Sequence, residues 1–272
     1  MKKSVRFSFL TALLGVMVHS AAQADFVFAI NEGITYRVNP LATVERMRDV
    51  ASDLEKILKQ PVSIRAVPVY VDLTDGLKKQ SYDLAYVHPA HISIRALRDS
   101  GYRLVAVTKG WTDYSANFMV KANSELKTLT DLKGKKVGAP DADSITSTLM
   151  RASLRDAVGA DQTTFQYVRE QDAVPFMVEN GFTAVGVSAS RSVIKNWEGK
   201  GGRVIGKSKS VPIKHLIAGP KITEEQRKLV AQYFTSMEDA KDGKQRLEAM
   251  NVQGFTSYDE KALLEFGRWM GI

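Results

Sequence analysis

Hydroxyl side chains crowd one short stretch: Ser144, Thr146, Ser147 and Thr148 stand just ahead of an apolar-periodic run that Gly159 closes. From Gly134 the chain reads as a short strand (Val137–Ala139), a polar turn and then a helix. A helix start leaves backbone N–H groups without partners and carries the positive end of the helix dipole. Hydroxyls at such a point can cradle an anion. The same residue types also serve as plain N-caps. The two roles part on substitution. Removing a cap costs about 1 kcal/mol of stability, whereas removing an anion cradle costs affinity.

Other side chains could join a site. Ser188, Ser190 and Arg191 follow an apolar strand at 184–187, and Arg191 could grip an anion through its planar fork. Tyr36, Trp111 and Tyr114 are aromatics on connecting segments, placed to act as lids or as packing. His88 and His91 stand three apart without a visible partner set, so no metal and no cofactor is expected. There is no Gly-x-Ser-x-Gly elbow and no cysteine nucleophile, so the chain is not read as an enzyme.

The elements that must position these groups alternate. Phe26–Ile30, Val62–Val67, Asp83–Val87 and Arg103–Thr108 read as strands, with an amphipathic helix at 41–58 and helices near 73–77 and 89–99 between them. A second set begins after Gly110-Trp-Thr-Asp-Tyr114, with strands at 117–120, 137–139, 165–168 and 184–187 and helices near 173–180 and 190–197. Ile213–Ala218 is an apolar run placed to return to the first sheet. Thr223-Glu-Glu-Gln226 is a capping box, and a last helix covers 258–270. Strand and helix in turn predict parallel α/β sheets. The expected division is 25–110 with 212–272 as one lobe and 111–211 as the other, with chain crossings near 108–115 and 208–217.

Composition bounds the setting. Lys2, Lys3 and Arg6 precede an apolar run from Phe7 to Val18, then Ala22-Gln-Ala24, which reads as a signal peptide cut after Ala24. The expectation is an exported protein that is not itself inserted in the membrane. The net charge of +8, less those three cations, leaves +5 scattered among acids. No long basic run argues for nucleic acid, and none is expected as a partner. The chain contains no cysteine, so disulfides and thiolate metal sites are excluded.

Three segments carry a family resemblance. Tyr82-Asp-Leu-Ala-Tyr-Val-His-Pro-Ala90, Leu126–Gly138 and Ile217-Ala-Gly-Pro-Lys-Ile-Thr-Glu-Glu-Gln226 resemble matching parts of the periplasmic phosphate/phosphite/phosphonate-binding proteins of ABC importers. The likeness runs over essentially the whole mature chain. It implies an α/β type II periplasmic-binding-protein clamshell of two lobes, each a mixed, mostly parallel sheet flanked by helices. The family's Asp-Pro-x-Ser-Thr-Ser-Gly anion loop falls on Asp141-Ala-Asp-Ser-Ile-Thr-Ser147. Ser144 is kept and Thr146 offers a hydroxyl, while Ala142, Ile145 and Ser147 replace the family's Pro, Thr and Gly. Asp143 adds a carboxylate that opposes an anion.

By the same resemblance, Tyr70 matches a ligand-facing aromatic. His88 and His91 stand near the place of a second aromatic. Glu170, with Gln171 and Asp172, falls where relatives hold a ligand's amine. The expected ligand-binding set is therefore Tyr36, Tyr70, His88, Ser144, Thr146, Ser147, Glu170, Ser188 and Arg191. The function implied is a receptor that delivers a small anionic or zwitterionic ligand, phosphonate- or phosphate-like, to a membrane ABC permease. Three alternatives stand beside it: a ligand-sensing protein feeding a membrane sensor, a binder of an amino acid or carboxylate, and an enzyme-like protein acting on a phosphate ester.

Overall fold

Period-two alternation sorts the strand residues of the first sheet onto two faces. In the computed structural model, which describes residues 26–33 and 39–272, Phe26, Phe28 and Ile30 of β1 (Phe26–Ile30) enter one apolar layer while Ala29 enters the other. Leu84 and Tyr86 of β3 (Leu84–Val87) follow the first, and Ala85 and Val87 the second. Both faces are covered, as a largely parallel sheet requires. The signal-peptide reading of residues 1–24 and the aromatic Tyr36 lie outside the described residues.

Between β1 and β3 come α1 (Pro40–Arg46), α2 (Arg48–Leu58), β2 (Val62–Ala66) and α3 (Tyr70–Lys78). After β3 follow α4 (Ala90–Asp99) and β4 (Arg103–Thr108). The sequence predicts one helix across 41–58, and the structure corrects this. Met47, with ψ of 0°, separates α1 from α2. Leu41 and Val44, expected in the buried stripe, are 77% and 38% exposed, and burial rests on Val50, Ala51, Leu54 and Leu58.

The chain then builds a second sheet from β5 (Asn117–Val120), β6 (Lys136–Ala139), β7 (Thr164–Tyr167), β8 (Val185–Ser188) and β9 (Arg203–Lys207). Its helices are α5 (Ile145–Val158), α6 (Val174–Glu179) and α7 (Arg191–Gly199). Residues after β9 return to the first sheet as β10 (His215–Ala218), followed by α8 (Glu224–Thr235), α9 (Gly243–Met250), β11 (Phe255–Thr256) and α10 (Glu260–Met270).

The first sheet has the order β11-β4-β10-β3-β1-β2, and the second β7-β6-β8-β5-β9. In the first, β1 to β4 run one way and β10 and β11 the other. In the second, β5 alone opposes the rest. The fold is thus two mixed, mostly parallel sheets flanked by helices. Two connecting segments join them side by side: Val211 N–H donates to Tyr114 O at 2.9 Å and Ile213 N–H to Trp111 O at 3.1 Å.

One apolar layer is shared by both lobes. Leu263 and Met270 of α10, from the first lobe, belong to the same buried cluster as Leu149, Met150 and Leu154 of α5, from the second. Polar contacts fasten the same joint. Trp269 Nε1 donates to Asp156 at 2.6 Å, and Arg155 donates to the Trp269 carbonyl at 2.8 Å. Among the described residues, no helix is long and apolar enough to cross a membrane.

Candidate functional site

Strand ends and helix starts meet between the two sheets. A cleft of about 840 Å³ lies there, lined by α3 and the β3–α4 junction on one side and by the β6–α5 junction on the other. That volume falls in the usual range for small-molecule sites. A second cavity of about 630 Å³ adjoins it, and His88, Tyr114, Glu170 and Gln171 line both.

The start of α5 is built as the sequence suggests, with its roles divided. Ser144 is the N-cap, and its hydroxyl accepts from the Ser147 N–H at 3.1 Å. The first two helical N–H groups, of Ile145 and Thr146, have no hydrogen-bond partner among the described residues. Such groups are the ordinary orphans of a helix start. The Thr146 hydroxyl lies 2.7 Å from Tyr114 Oη, which Gln171 Nε2 also reaches at 3.3 Å. Ser147 is fully buried and donates to the Pro140 carbonyl at 2.9 Å, so it braces the turn and does not line the cleft. Asp143 lines the cleft and is exposed, and its N–H is held by Asp141 Oδ1 at 2.8 Å.

On the opposite wall stand the two histidines. A cis peptide joins His88 to Pro89. Gly33, at φ +90°, lies against the His88 ring, and a Cβ there would sit 2.5 Å from Nδ1. The backbone conformation and the close approach both require glycine. Burial, then the charge of Lys214, holds the His88 pKa down to about 3. His91 is 6% exposed, and burial followed by Arg95 and Arg151 likewise holds it at about 3. Both rings are neutral near pH 7, and the Nδ1 atoms of both are buried without a hydrogen-bond partner. Among the described residues, no group of three His, Asp or Glu side chains could hold a metal ion.

Tyr70, expected on a loop, is the first residue of α3 and lines the main cleft. Glu170 lines both cavities from an exposed position and pairs with Arg169 at 3.5 Å. Arg191 belongs to the second cavity only, where it pairs with Asp113 at 3.1 Å. Ser188 is fully buried and donates to Gln171 Oε1 at 2.9 Å.

Gln171, passed over in favour of its neighbour Glu170, is the hub of this wall. Its Oε1 also accepts from the Ala189 and Ser190 N–H groups at 2.6 and 3.0 Å, tying β8 to Tyr114 and thence to Thr146. Arg95 and Arg151, which nothing in the sequence singled out, both line the main cleft.

Comparison with known proteins fits this geometry. The family described as ABC transporter, phosphonate, periplasmic substrate-binding protein matches residues 33–263. A Xanthomonas citri protein bound to chloride ion superposes with TM-score 0.69 at 15% identity, covering 90% of this chain and 97% of that one. PhnD1 from Prochlorococcus marinus in complex with methylphosphonate gives TM-score 0.61 at 17% identity, over 89% and 96%. The binding protein component of an ABC phosphonate transporter from Pseudomonas aeruginosa gives 0.56 at 16%, over 90% and 85%. These likenesses speak for the fold, and no curated protein sequence matches the chain. With a type II clamshell fold and a family match over most of its length, the chain belongs to the periplasmic phosphonate substrate-binding proteins of ABC transporters, the solute receptors of ABC importers.

Proposed function

We propose that the main cleft binds a phosphonate- or phosphate-like anion against the start of α5, and that the lobes close on it to present it to a membrane permease. The observation that carries this reading is the pair of unpaired N–H groups of Ile145 and Thr146, two residues that line a cleft of about 840 Å³. Free N–H groups and the helix dipole together favour negative charge at that point. The structures of PhnD1 with methylphosphonate and of the Xanthomonas citri protein with ATP are of relatives that take phosphorus oxyanions. Ser144, Thr146, Tyr70 and His88 are the proposed ligand-facing set. Ser147, Ser188 and Gln171 act as their supports. Glu170 stands where the two cavities adjoin, and Arg191 belongs to the second.

In this reading residues 25–110 with 212–272 move as one body and 111–211 as the other. The protein works in the periplasm, after removal of residues 1–24, and binds without catalysis.

A thermal-shift screen of the mature protein tests it, using phosphate, phosphite, methylphosphonate, aminoethylphosphonate and sulfate beside amino acids and carboxylates. A ligand bound to the folded state raises the melting temperature by mass action, about 2.7 kcal/mol of stabilisation at a hundredfold excess over Kd. The expected result is a rise with a phosphorus oxyanion. A rise confined to carboxylates or amines would keep the clamshell and discard this ligand class.

A further inference from the structure

The main cleft is lined by the acids Asp75, Asp141 and Asp143 as well as by cations, and two of its arginines, Arg95 and Arg151, are in no ion pair among the described residues. Arg169 pairs with Glu170, and Arg191 with Asp113. Elsewhere Arg46, Arg103, Arg227 and Arg246 also sit in ion pairs. Arg151 on α5 is half-buried, yet its guanidinium meets neutral acceptors alone. It donates to the Ala142 carbonyl at 2.8 Å and lies 3.3 Å from both Tyr167 Oη and Thr148 Oγ1. Arg95, on α4 of the other lobe, has no ion pair or hydrogen bond among the described residues and lines the same cleft. His91, one turn before Arg95 on α4, is buried and lines the cleft, with Nδ1 unpartnered. The charges of Arg95 and Arg151 are the two that act on its ring.

We infer that the cleft holds a second anion subsite, formed by Arg95, Arg151 and His91, so that the preferred ligand is a phosphonate or organophosphate carrying a second anionic group. This rests on the reading that a phosphorus oxyanion sits at the start of α5. A phosphoryl group there leaves much of an 840 Å³ cleft to the rest of the ligand. Two guanidiniums in no ion pair are the chemistry that recognises a carboxylate or a further phosphoryl group. One comes from each lobe, so an anion held by both would favour the closed arrangement over the open one. At this subsite an amine-bearing ligand would meet the same pair and be repelled.

The test is calorimetric titration of the mature protein with phosphonopropionate, propylphosphonate and aminoethylphosphonate. The expected order is phosphonopropionate tightest, by about tenfold over propylphosphonate, the scale of one charge-assisted contact. Arg95→Gln should cut that ratio to about twofold or less. Arg95→Glu should move the preference toward aminoethylphosphonate, an inversion that a loss of folding would not produce. Equal affinity for phosphonopropionate and propylphosphonate would overturn the second subsite and leave the receptor reading intact. Tightest binding of aminoethylphosphonate by the unaltered protein would do the same. Failure of all three to bind would overturn the phosphoryl site, and this inference with it.

Discussion

His215 shows how far a single side chain can be read once its neighbours are known. It is fully buried on β10, with Nε2 2.9 Å from the Pro212 carbonyl and Nδ1 2.5 Å from Ser93 Oγ. A carbonyl can only accept, so Nε2 carries a proton, while the one Ser93 hydroxyl proton is contested between Nδ1 and the Ala90 carbonyl 2.8 Å away. Burial holds the ring's pKa down to about 4. With His88 and His91 near 3, three rings lie well below their ordinary value of 6.5. The unfolded chain therefore binds protons first as pH falls. Stability is full above pH 6.5 and is lost on the way down toward 4. For His215 the loss between pH 7 and 5 is on the order of 2 kcal/mol. Urea melts at the two pH values should give a smaller drop for His215→Gln than for the unaltered protein. An equal drop would remove His215 from the account.

At the scale of the element, α5 joins the two lobes of the molecule. Its first turn faces the cleft, while Arg155 and Asp156 near its end bind α10. Ser144 holds that first turn in register, so Ser144→Ala should lower stability by about 1 kcal/mol, with Ser144→Asp close to the parent because Asp caps as well. In the Asp variant methylphosphonate affinity should still fall, since a carboxylate would then stand at the anion position. A variant that kept full affinity would leave Ser144 a cap alone.

The sequence made α5 legible because hydroxyls, an apolar stripe and Gly159 bracket it. It made α9 and β11 illegible: α9 buries little beyond Leu247 and Met250, and β11 has two residues. The site was legible where chemistry is local, as in the cap. It was not where chemistry depends on what lies across the cleft. Nothing in the local sequence tells that Arg95 and Arg151 line one cleft without an ion pair, and nothing near Gln171 tells that its amide collects Ser188, Ala189, Ser190 and Tyr114.

For the whole molecule the question is how two lobes with a shared apolar layer can move. Pulling α10 away from α5 would expose Leu263 and Met270 and break the bond from Trp269 to Asp156. Buried apolar area is worth about 25 cal/mol per Å², so that route is disfavoured. Motion that keeps this joint packed must turn about it and about the paired connectors at Trp111–Tyr114 and Val211–Ile213. Closure of this kind brings α4 toward the start of α5, and with it Arg95 toward Arg151. Two like charges without a ligand resist that approach, and an anion between them removes the resistance. Small-angle scattering should therefore show the radius of gyration falling when a bound phosphonate saturates the protein, and little change on adding sodium chloride alone. A ligand that binds by calorimetry yet leaves the radius unchanged would mean that the lobes are a fixed frame, and that the permease must recognise something other than closure.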